Sequence, residues 1–83
     1  MAIPKFNYGV LTYYPTIEAW IINFNSTNPE YSLERKATAS ADGIRAEVFQ
    51  VLNELGKQGW DVFQVDGYIE RDYPVYHLRR VCD

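Results

Sequence analysis

Asp42-Gly43-Ile44-Arg45-Ala46-Glu47-Val48-Phe49-Gln50-Val51-Leu52-Asn53-Glu54-Leu55-Gly56-Lys57-Gln58-Gly59-Trp60 carries the strongest periodic signal in the chain. Ile44, Val48, Val51, Leu52 and Leu55 recur at three- and four-residue spacing, which puts them in one stripe along a helix. Arg45, Glu47, Glu54 and Lys57 fall off that stripe and read as solvated. The spacing predicts a helix over Asp42–Gln58. Ser40 or Asp42 is placed to cap its start by accepting from a free backbone amide. Gly59 is placed to end it in the left-handed conformation. Trp60 then follows the helix end, where its ring is expected to fold back into the core.

Working outward, the flanking segments alternate with the period of strands. Phe6, Tyr8, Val10, Thr12 and Tyr14 share one face of a strand over Phe6–Tyr14, and Leu11 and Tyr13 share the other. Pro15 and Thr16 close a short connection. Ile17–Phe24, rich in β-branched and aromatic residues, reads as its hairpin partner. After the helix, Trp60–Ile69 reads as a third strand, with Phe63, Val65 and Ile69 on one face and Val62, Gln64, Asp66 and Tyr68 on the other. Glu70 to Pro74 reads as a turn. Val75–Cys82 reads as a fourth strand, with Tyr76 and Leu78 pointing one way and His77 and Arg79 the other. Between the second strand and the helix, residues 25–41 are polar or small and read as one long loop. The expectation is a single α+β domain over 1–83. It has a four-stranded antiparallel sheet with one long helix on one face, in the order β-β-α-β-β. One apolar stripe covers one face of such a sheet. The other face then meets water, a ligand or another subunit.

The segment Leu52-Asn53-Glu54-Leu55-Gly56-Lys57-Gln58-Gly59-Trp60-Asp61-Val62, followed by Tyr76-His77-Leu78-Arg79-Arg80, resembles the domain-of-unknown-function family numbered 4177. The resemblance covers about residues 44 to 81 and an early aromatic strand. It implies a small α+β module of the kind found in bacterial and phage proteins. It implies no activity and brings no catalytic residues. The Ile17–Phe24 strand and the long segment after it stand as additions to that pattern.

Composition narrows the function. The chain has 83 residues, 47% hydrophobic and 23% charged, which is ordinary for a globular domain, while 16% aromatic residues is a high share. A domain this short has a thin core, so large rings suit it, and rings also anchor interfaces. A homo-oligomer is expected for the same reason. The net charge of −3 argues against general nucleic-acid binding, which needs a basic footprint. The longest apolar run, Ala19-Trp20-Ile21-Ile22, is too short to span a bilayer. With a single Cys there is no internal disulfide, and cytoplasmic residence is the expectation.

Catalytic and metal motifs are wanting. One His and one Cys cannot make a zinc site, and the odd spacing of His77 and Cys82 in a strand sends them to opposite faces. The same argument separates Asp61 from Asp66 as an acid–base pair. Gly56-Lys57-Gln58-Gly59 sits at a helix C-terminus, where the dipole repels phosphate. No cofactor is expected. The positive signals concern binding. Arg35, Arg79 and Arg80 offer forks for carboxylate or phosphate, and Tyr13 and Tyr31 offer stacking surfaces, with His77 nearby in the last strand. The expected function is therefore non-catalytic capture of a small anionic, nucleotide-like ligand, between subunits or under the 25–41 loop. The resemblance, through its association with phage proteins, implies a phage counter-defence protein that sequesters a host signal as one form of such a function. The alternative is a protein-binding adaptor or inhibitor using an aromatic sheet face or an edge strand.

This reading places Trp60 inside the core and Tyr31, flanked by Glu30 and Ser32, outside it. Trp60→Ala is expected to cost about 3–5 kcal/mol, a large part of the stability of so small a domain, and chemical denaturation measures it.

Overall fold

The computed structural model describes residues 5–38, 43–67 and 73–82. Its elements are β1 (Lys5–Pro15), β2 (Trp20–Ser26), a 3-10 turn (Pro29–Tyr31), β3 (Leu33–Ala37), α1 (Ile44–Lys57), β4 (Asp61–Asp66) and β5 (Val75–Cys82). All neighbouring strands are antiparallel, and the sheet order is β3-β2-β1-β5-β4. The long first strand thus lies at the centre.

The sheet has five strands, not four, and the order is β-β-β-α-β-β. The additional strand, β3, lies within the segment read as a loop over 25–41. Leu33-Glu34-Arg35-Lys36-Ala37 has too little apolar content to announce a strand by itself. It becomes one because β2 offers a free edge, pairing Phe24 with Leu33 and Trp20 with Ala37. The turn into it is set by short polar side chains. Asn28 Oδ1 accepts from the Glu30 amide at 3.1 Å, Ser26 Oγ accepts from the Asn28 amide at 3.1 Å, and Ser32 Oγ accepts from the Ser26 amide at 3.0 Å.

The expected β1–β2 hairpin is present. Its turn runs from Thr16 to Ala19, so β2 begins at Trp20 and not at Ile17. The Thr16 hydroxyl donates to the Ala19 carbonyl at 2.6 Å and accepts from the Ala19 amide at 3.1 Å. Ile17 sits at the tip, fully exposed.

The core lies between the sheet and α1. Leu11 and Tyr13 of β1, Ile22 and Phe24 of β2, Ala37 of β3 and Leu78 of β5 pack against Ile44, Val48, Val51 and Leu55 of the helix and against Trp60. The helical stripe read from sequence is the buried face, with Leu52 at its margin. The helix begins at Ile44, and Gly43 at its N-cap makes no side-chain capping bond. The expected caps Ser40 and Asp42 lie outside the described residues, as does most of the turn over 70–74.

The helix ends as the sequence predicts. Gly59 has φ of 96°, the Gly59 amide donates to the Gly56 carbonyl at 3.0 Å, and the Trp60 amide donates to the Leu55 carbonyl at 3.0 Å. This pair of bonds reverses the chain at once and delivers Trp60 into the core, where it is 4% exposed. Its ring meets Phe24 edge-on, with centroids 4.9 Å apart.

Gly9 is a demand of packing that the periodicity does not register. The Phe24 ring lies where a Cβ on Gly9 would stand, so a side chain there overlaps it. Gly9→Ala is expected to cost about 1–3 kcal/mol by overpacking. Chemical denaturation measures this, and shortening the ring with Phe24→Leu in the same chain should make the Gly9→Ala step cheaper than in the wild-type background.

Candidate functional site

The face of the sheet away from α1 gathers exposed rings. Residues opposite one another in an antiparallel pair share a face, so the register Tyr8↔Arg79 and Val10↔His77 puts these four together. β4 adds Asp61 opposite Arg79 and Gln64 opposite His77. A bulge between Val62 and Gln64 interrupts the alternation. An extra residue in one strand turns the following side chains over. Val62 and Val65 therefore both stand opposite helix-side residues of β5, Leu78 and Tyr76. The expectation that Phe63 and Val65 share a face, with Val62 opposite, does not hold. The same bulge brings Asp61 and Asp66 to one face, against the expectation that they diverge.

At the centre of this open face the Arg79 guanidinium carbon lies 5.2 Å from the Phe6 ring centroid and 5.6 Å from that of Phe63. Tyr8 meets Phe63 edge-on at 6.1 Å. Tyr8 is 49% exposed and Phe63 45%, so the cluster is open to a partner. Along β4, Asp66 Oδ2 lies 2.8 Å from His77 Nε2, and Gln64 Nε2 donates to Asp66 Oδ1 at 2.8 Å. These bonds, that from Gln64 first, hold the Asp66 carboxyl below its ordinary range. Asp61 Oδ2 is 3.9 Å from Arg79 Nε. The acidic groups of β4 are thus answered by basic groups of β5.

The six residues expected at a ligand site do not converge. His77 and Arg79 stand on the open face. Tyr13 is in the core at 6% exposure, in a cluster of three rings with Trp20 and Tyr73. Burial is the main cause that raises its hydroxyl pKa. Arg35 projects from β3 to the helix and binds Glu54 Oε2 at 2.8 Å. Arg80 and Tyr31 form a second cluster at the helix end. Arg80 Nε donates to the Gln58 carbonyl at 2.6 Å, its Nη1 donates to the Tyr31 hydroxyl at 2.9 Å, and its guanidinium lies 4.9 Å from the Tyr31 ring centroid. Tyr31 in turn stands edge-on to Trp60 at 5.8 Å. It is half-buried against the core, not outside it, because the 3-10 turn folds back over Trp60.

Phe6, Tyr8 and Phe63 were not legible as site residues. Their signal was the alternation of β1, which sets Phe6 and Tyr8 opposite Leu11 and Tyr13. Among the described residues no group of three His, Cys, Asp or Glu side chains is placed to hold a metal ion. Among the same residues no helix is long and apolar enough to cross a membrane. Compared with protein-family models, curated proteins and solved structures, the chain matches none.

The Arg80–Tyr31 cluster covers Trp60, so its loss is a matter of stability. Tyr31→Ala is expected to cost about 1–2 kcal/mol, from a half-buried ring and one charge-assisted hydrogen bond. Tyr31→Phe should cost less, since it removes the hydrogen bond alone. Paired denaturation curves separate the two.

Proposed function

We propose that the protein is a non-catalytic protein-binding module that meets its partner through the open sheet face around Tyr8, Phe63 and Arg79. The observation that carries this reading is a guanidinium held over two rings, Phe6 and Phe63, with the exposed Tyr8 ring edge-on to the exposed Phe63, all borne by adjacent strands of a sheet. Tyr and Arg are over-represented among residues that dominate binding energy, because they combine large rigid contact area with a polar handle. A surface on strands is also held in place before binding, which lowers the ordering cost.

Several features favour a protein surface over capture of a small anion. The expected ligand residues are divided between the two faces. Arg35 and Arg80 already hold internal partners. On the open face Arg79 and His77 lie beside Asp61 and Asp66, which weakens the local field for a phosphate. Rings around a cation with nearby carboxylates suit a mixed apolar and polar protein surface better.

Three measurements test the reading. A photo-crosslinking residue at position 8 should capture one partner at equal stoichiometry in cells that express the chain, while the same label at position 50 on the outer side of α1 should not. Tyr8→Ser and Arg79→Ala should each weaken that complex by about 2 kcal/mol and leave folding stability within about 1 kcal/mol. A saturable rise in melting temperature with a nucleotide, abolished by Arg79→Ala, would sink the proposal in favour of a small anionic ligand.

A further inference from the structure

β4 is a strand whose side chains do nothing for the core. No residue of it belongs to the buried cluster. Val62 and Val65, on the helix side, are 37% and 53% exposed, and Phe63, on the open side, is 45% exposed. Geometry explains why. A helix is about 10 Å across and strands lie about 4.8 Å apart, so one helix covers roughly two strand spacings of a sheet. The Arg35–Glu54 ion pair joins α1 to the β3 margin. The opposite margin, β4, is left without cover by α1.

β4 is also an edge, paired on one side with β5. Its outer backbone groups form a template for another strand. The two edges of the sheet are unlike. β3 carries Glu34, Arg35 and Lys36 in succession, a run of charge that discourages pairing. β4 reads Asp61-Val62-Phe63-Gln64-Val65-Asp66, three apolar side chains between two carboxylates.

We propose that the outer edge of β4 accepts an extended segment of a partner protein, with apolar residues at alternate positions and a basic residue towards each end. This rests on the reading of the protein as a protein-binding module and names how it would engage. Added as an antiparallel strand, the segment gains main-chain hydrogen bonds from β4. Its apolar residues cover Val62 and Val65 on the helix side, and the residues between them pass beside Phe63 on the other. Its basic ends approach Asp61 and Asp66 from outside the sheet, while Arg79 and His77 face these carboxylates from β5.

The charges select this occupant over a second copy of the chain. An antiparallel β4–β4 pairing that sets Val62 opposite Val65 also sets Asp61 opposite Asp66, twice over. Like charges directly opposite destabilise a pair. Lys or Arg at those positions reverses the sign, and the net charge of −3 adds a general attraction for a basic segment.

The test uses the whole chain, labelled with nitrogen-15, and two capped peptides: Lys-Val-Thr-Val-Lys, whose ends fall opposite Asp66 and Asp61 when its Val residues meet Val65 and Val62, and its counterpart with Glu at both ends. The basic peptide should shift the amide resonances of residues 61–66 and spare those of 33–37. It should bind about fivefold more tightly than the acidic peptide at low salt, a preference that shrinks as salt is raised. Asp61→Asn should narrow the preference. Val65→Lys should abolish the β4 shifts, with Val62→Lys as the second variant if the first fails to fold. Equal affinity for the two peptides, shifts at β3 instead of β4, or no shifts with either would overturn the inference. So would concentration-dependent β4 shifts without peptide, which would make the occupant a second copy. Shifts confined to the amides of residues 6–10 and 77–79 would remove the edge mode and leave the open-face reading standing. Failure of crosslinking at position 8 would remove that reading on separate grounds.

Discussion

The Phe24 ring lies across Gly9, fully buried, with the Trp60 ring set edge-on against it. Two distant parts of the chain are fixed by that contact. On the sheet side, the ring takes the space a β1 side chain would fill, which fits the register pairing Gly9 with Ser26 and Leu11 with Phe24. On the helix side, Trp60 reaches the ring because Gly59 reverses the chain within one residue of the last turn. Tyr31 then closes over Trp60, and Arg80 ties Tyr31 to the Gln58 carbonyl at the helix end. Rings at one end of the core thus join β2, the 3-10 turn, the helix terminus and β5. In a domain with so few buried residues, this knot is a large part of what makes the packing unique.

The remaining architecture follows from a mismatch of widths. Five strands span about 19 Å between their outer axes, and a single helix covers about half of that. The core accordingly draws on β1, β2, β3 and β5 and stops short of β4. The face away from the helix carries the exposed rings of Tyr8 and Phe63 beside Phe6, while Ile21 and Val75 on the same face are buried. Aromatic residues therefore have two separate uses here. Phe24, Trp60 and Tyr13 hold the layers together, whereas Tyr8 and Phe63 face outward with no part in the buried cluster.

On the open face Asp61 stands across from Arg79, and Asp66 lies at hydrogen-bond distance from His77. Such exposed pairs add little to stability, because water screens them and the side chains give up freedom to form them. Their consequence is a locally polar surface, with a guanidinium held over two rings. That pattern supports the choice of a protein surface over an anion pocket. The two arginines that would have strengthened an anion site are spent inside the fold, one on Glu54 and the other on Tyr31 and Gln58.

Local elements whose side chains repeat with a period were legible in the chain before any tertiary contact is considered. The α1 stripe, its end at Gly59, the burial of Trp60, the hairpin of β1 with β2 and the opposition of Tyr76 and Leu78 to His77 and Arg79 are all present as read. Each depends on neighbours a few residues apart, where the geometry of helix or strand alone decides which side chains share a face. What lay beyond that reach was decided by tertiary structure. β3 exists because β2 has an edge to fill, not because Leu33 to Ala37 favours a strand. The bulge in β4 turns Val62 and Val65 to the helix side and Asp61 and Asp66 to the open face, and a period-two reading cannot register one inserted residue. Tyr31 and Arg80, far apart in sequence, meet over Trp60 because the helix end and the turn before β3 converge there. The division of the expected site residues between two faces has the same origin: residue type announces what a side chain can bind, and pairing register decides which others stand beside it.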